Sequence, residues 1–180
     1  MKKQPSPIVR TLLTAVVWFG LAGQHVACAQ SAPATPRRTP STEQERADAL
    51  RLVDLLETSP TAAEAGAARQ QLILWLGQVP DLDVRFCTAI LGTAKEVESL
   101  PSQLTLQLAL SQAAYMIRNP QLTGNSLEVF VAGVDGAIRS YEAMKLAGGT
   151  QAIPLFENLK SERARGRLLD VVKARVAQCK

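Results

Sequence analysis

At Pro80 the hydrophobic rhythm of the chain changes, and that change constrains the fold more than any other feature of the sequence. Before it, Leu72, Trp75, Leu76 and Val79 recur at the i, i+3, i+4, i+7 spacing of one buried helical face. Ile73 and Leu74 widen that stripe until little polar surface is left, so this helix is expected to sit centrally. Proline lacks the amide donor and pushes Val79 away from helical angles, so the helix ends there. Beyond Pro80, Leu82, Val84 and Phe86 alternate with a period of two, the mark of an extended segment running into Cys87.

The start of the chain reads as an address. Lys2, Lys3 and Arg10 precede a short apolar core at residues 11–23, and Ala27-Cys28-Ala29 supplies a small-x-small cleavage pattern. Residues 1–29 are therefore expected to be a signal peptide, cut before Gln30, which sends the protein to the periplasm or out of the cell. The apolar core falls short of the roughly 20 residues of a membrane-spanning helix, so cleavage is favoured over an uncleaved anchor. Lipidation at Cys28 is the other alternative. Such signals usually carry leucine three residues before the cysteine, where this chain has His25.

Cleavage changes what the composition permits. The chain has 20 Lys and Arg against 16 Asp and Glu, but three of the basic residues and none of the acids precede Gln30. The mature protein is thus nearly neutral, and neither a bulk electrostatic case for nucleic acid nor a membrane span survives. His25 is the only histidine, so its loss excludes Ser-His-Asp and Cys-His chemistry and the usual His-ligated zinc. No cofactor is expected. Only Cys87 and Cys179 remain once Cys28 is gone, and an even pair in an oxidising compartment is expected to form a disulfide.

Residues 30–40, with three prolines and almost nothing to bury, read as a disordered tether. Residues 41–180 make one domain's worth of chain. Ser41 to Gln44 fits a capping box opening a first helix to about Thr58, and Thr61 with Glu64 fits a cap for the next. Residues 88–98 predict a short helix. In residues 102–118 the leucines alternate as in a strand, yet Leu106, Ala109, Leu110, Ala113 and Ile117 share a helical face, and the composition favours helix. Residues 127–146 predict the longest amphipathic helix. Gly133 and Gly136 inside it each cost about 1 kcal/mol relative to alanine, which points to close approach by a neighbouring helix. Residues 154–165 and 167–179 complete the set, the last facing inward through Leu168, Leu169, Val172, Val176 and Cys179. The expected fold is all-α, a single irregular bundle of six or seven helices.

Three constellations carry possible chemistry. Asp81 and Asp83, with Asp135, are the carboxylates a hydrolase-type enzyme without histidine would use. Asp81 and Asp83 also fit the wet edge of an extended segment, since residues i and i+2 point to the same side. Lys160, Arg163, Arg165, Arg167, Lys173 and Arg175 form a basic run, either an anion-binding face or a set of solvated, internally paired charges. Trp75 and Tyr115 lie beside leucines at core-facing positions, which favours core over a binding platform.

The segments VPDLDVRFC, AAYMIRNP and RSYEAMKL and the terminal RGRLLDVV resemble a group of small exported bacterial proteins of unassigned activity, over most of the chain from about Glu43 to Cys179. The architecture is also similar to that of small helical periplasmic immunity proteins. The resemblance implies a helical fold and no particular chemistry. Together with the composition it leads us to expect a non-catalytic protein that binds an envelope protein or an anionic surface.

Overall fold

Thr42, not Ser41, opens the first helix. The computed structural model describes residues 38–179, so the expected signal peptide and the tether as far as residue 37 lie outside the described residues. In helix α1 (Glu43–Thr58) the Thr42 hydroxyl accepts from the Glu45 amide, and the Glu45 carboxylate takes the Thr42 amide in return. The capping box thus falls one residue later than the sequence pattern suggests, because the Ser41 side chain is engaged with Asp81.

Six helices follow: α2 (Ala65–Leu76), α3 (Ala94–Glu98), α4 (Ser102–Arg118), α5 (Leu127–Leu146), α6 (Pro154–Ala164) and α7 (Leu168–Val176). The short helix expected at residues 88–98 is divided into a 3-10 turn, Thr88–Ile90, and α3. Thr93 makes the division, since its extended backbone and its hydroxyl bond from the Glu96 amide start a new helix there. Pro154 sits in the first turn of α6, where its missing amide proton costs nothing. Among the described residues there are seven helices and no strand, an all-α bundle.

The bundle is built on α4 and α5. Leu104, Leu108, Val134, Ala137, Ile138 and Tyr141 are buried in one cluster with α6 and α7. A second cluster joins α1, α2 and the Leu110 and Ala114 side of α4. The two interior glycines of α5 are where the helices touch. A Cβ on Gly133 would lie 2.8 Å from the Leu108 carbonyl oxygen, and one on Gly136 would lie 2.0 Å from Ser111 Oγ. Close approach is thus the reason α5 tolerates glycine in its interior.

Helix α2, expected at the centre, is peripheral. It buries only Ala65, Ala68 and Leu72 along its length, while Ile73 and Leu74 are 46% and 57% exposed. Its main packing partner is α1, with α4 touching only one side through Leu110 and Ala114, and these two do not cover so wide an apolar stripe. After Val79, which is buried, the chain runs irregularly to Cys87 with no partner strand, and Phe86 is exposed. In α7, Leu168 and Val172 are buried but Leu169 is not, so only part of the expected inward face packs.

Cys87 and Cys179 are joined, with Cα atoms 5.9 Å apart across 92 residues of sequence. The bond ties the end of α7 to the segment entering the 3-10 turn. Arg175 reinforces it by donating to the Ile90 and Leu91 carbonyls. Among the described residues no helix is long and apolar enough to cross a membrane.

Candidate binding cleft

Helical periodicity places Ser111, Tyr115 and Arg118 along one stripe of α4, and Glu128, Val131, Asp135 and Arg139 along one stripe of α5. The two stripes meet at a cleft of about 370 Å³, closed at one end by Glu57 of α1 and edged by Leu169 of α7. This is why Leu169 does not pack inward: it forms an apolar lip of the cleft.

The floor is fixed by a chain of hydrogen bonds. Buried Gln107 donates to Ser111 Oγ at 3.0 Å, and Ser111 donates to Glu57 Oε1 at 2.6 Å. Arg139 donates through Nε and Nη2 to Glu57 Oε2 at 3.0 and 2.8 Å, and through Nη1 to Asp135. Asp135 also takes Arg163 of α6, which bonds Glu142 at 2.6 Å. Burial alone would lower the Arg139 pKa, but the Glu57 hydrogen bonds and the nearby carboxylates raise it, so the guanidinium is fully charged. Glu57 is only 7% exposed, and its oxygens are filled by fixed donors. The network clamps α1, α4, α5 and α6 together.

The walls differ from the floor. The exposed Glu128 carboxylate and the half-buried Tyr115 hydroxyl have no hydrogen-bond partner among the described residues. Val131 and Ala132 lie between them, half-buried. Tyr115, expected in the core, is therefore a wall of the cleft. Trp75 is partly buried against the cluster of α1, α2 and α4 side chains and does not line the cleft.

The carboxylates singled out in the sequence do not come together. Asp81 accepts from the Ser41 amide at 2.8 Å, the Ser41 hydroxyl at 2.6 Å and Arg46 at 2.8 Å. Burial pushes its carboxyl up, but those three donors outweigh burial and hold it down to about 2. It is a clamp between α1 and the segment after α2. Asp83 is exposed and pairs with Arg85 at 2.8 Å. Only Asp135 lines the cleft, where Arg139 and Arg163 hold it.

The basic run is likewise divided among partners. Lys160 and Arg163 meet Glu142, Arg165 and Arg167 share Glu162, and Arg175 is turned onto main-chain carbonyls. Lys173 alone of the six is exposed with no partner among the described residues. Among the described residues, no group of three or more His, Cys, Asp or Glu could hold a metal ion.

Glu57, Ser111, Glu128 and Arg139 escaped the reading of the sequence. A signal for one of them was present: Ser111, like Gln107 and Gln112, is a polar residue buried in α4, and Ser111 and Gln112 face the glycines of α5. Comparison with protein-family models, with curated proteins and with solved structures found no match to this chain.

Proposed function

We propose that the chain is an exported, non-catalytic binding protein that engages another protein of the cell envelope through the cleft between α4 and α5. The observation that carries this reading is the division of labour inside the cleft. Its floor groups are committed to one another, whereas the Tyr115 hydroxyl and the Glu128 carboxylate on the walls make no hydrogen bond or ion pair among the described residues, and Leu169 is exposed. Groups that a fold does not need, gathered on one concave surface, favour a ligand contact. The Cys87–Cys179 bond supports export, because such bonds persist in oxidising compartments. Between the two partner classes expected, the pairing of the basic run favours a protein over an anionic surface.

The test is differential capture from the protein's own cell envelope. Wild type should retain a partner that Tyr115→Ala and Glu128→Gln both lose, while Lys173→Ala retains it. Equal retention by all four proteins would remove the cleft from the function.

A further inference from the structure

The charges in the cleft define what kind of group it accepts. Arg139 spends its Nε, Nη1 and Nη2 donors on Glu57 and Asp135. Arg118 is turned to Asp54 at 3.0 Å. Both cations at the cleft are therefore already paired, while the exposed carboxylate of Glu128 is not. Arg163 behind Asp135 is balanced by Glu142. An incoming anion would meet Glu128 with no uncommitted cation to receive it. An incoming cation would find an unpaired carboxylate.

The shape selects further. A volume near 370 Å³ is at the small end of ligand pockets, enough for one long side chain and not for a folded element. Val131, Ala132 and Leu169 offer apolar surface for an aliphatic stem, and Tyr115, half-buried in the same lining, adds an aromatic ring, a group that attracts cations.

Resting on the binding reading above, we infer that the cleft takes an arginine or lysine side chain from the partner protein, with its charged head on Glu128 and Tyr115 and its stem on Val131 and Leu169. The partner surface is basic at this point, and the interaction weakens with salt.

The test uses the full exported chain, labelled with nitrogen-15, and three capped tripeptides: Leu-Arg-Leu, Leu-citrulline-Leu and Leu-Glu-Leu. Citrulline keeps the size and planarity of arginine without its charge. The arginine peptide should give saturable amide shifts confined to residues 111–118 and 128–135. Citrulline should bind about five-fold more weakly, the worth of one charge-assisted contact, and the glutamate peptide should leave these amides unmoved. Glu128→Gln should erase the preference for arginine over citrulline. Equal binding of arginine and citrulline at the cleft would overturn the cation inference and leave the binding reading standing. Absence of shifts with arginine at about 10 mM, weaker than millimolar affinity, would overturn it as well. The binding reading itself falls only if Tyr115→Ala and Glu128→Gln capture the same envelope partner as well as wild type and Lys173→Ala do.

Discussion

Gly136 shows how much one missing methyl group can decide. A Cβ there would lie 2.0 Å from Ser111 Oγ, 2.4 Å from Ser111 Cβ and 2.5 Å from Glu57 Oε1, so Gly136→Ala must part α5 from both α4 and α1. It should destabilise the protein by about 2–3 kcal/mol, the cost of overpacking a tight contact. Gly66→Ala is the contrasting case. Gly66 lies in α2 with nothing within 4 Å of an added Cβ, so alanine should stabilise by about 0.5–1 kcal/mol. Urea unfolding of both variants checks the pair, and equal effects would contradict the packing described. Asp81 gives a prediction in pH. Its folded pKa of about 2 lies below the ordinary 3.8, so its contribution is complete above pH 4 and fades as pH falls through 2. Asp81→Asn should therefore cost about 1 kcal/mol at pH 6, after allowance for solvent screening, and almost nothing at pH 2. A difference that is constant across this range would show that the Ser41 and Arg46 bonds do not depend on the charge.

Among the elements, α7 depends most on a single bond. It packs on α5, α6 and the 3-10 turn through Leu168 and Val172, and the Cys87–Cys179 bond holds its end. Closing a loop of 92 residues is worth about 4–5 kcal/mol on the chain-entropy model. Replacing both cysteines by serine should lower the unfolding midpoint sharply and expose α7 first to hydrogen exchange. An unchanged midpoint would mean that α7 is held by packing alone. The disulfide was legible in the sequence because the expected removal of residues 1–29 would leave only these two thiols. Close approach of some neighbouring helix to α5 was legible as well, since glycine inside a helix needs a reason, but that the neighbour is α4 was not. Nor was the location of α2. Its apolar stripe, Leu72 to Val79, states that the helix buries surface, but periodicity cannot say how many neighbours there are to bury it. The capping box also slipped by one residue, because Ser41 could serve either the Gln44 amide or Asp81, and only the fold brings Asp81 within reach. The cleft was the least legible part. Glu57 and Arg139 are 82 residues apart, and no local pattern pairs them.

At the scale of the whole molecule, the protein keeps two sets of polar groups apart. One set, running from Gln107 through Ser111, Glu57, Arg139 and Asp135 to Arg163, holds the helices together. The other, Tyr115 and Glu128 with their apolar neighbours, takes no part in that network and is where we propose the partner binds. The sets should separate by mutation. Glu57→Gln loses the charge that Arg139 faces and should cost about 2 kcal/mol of stability, less than a fully buried pair because Arg139 is 44% exposed. The most direct test of the division is to measure, on one preparation of the Tyr115→Ala, Glu128→Gln double variant, both the urea midpoint and the dissociation constant for the captured partner. The variant should remain folded, with a stability loss of no more than about 1–2 kcal/mol from truncating a half-buried ring, and its affinity should fall at least about ten-fold. Undiminished affinity in a folded variant would contradict the account.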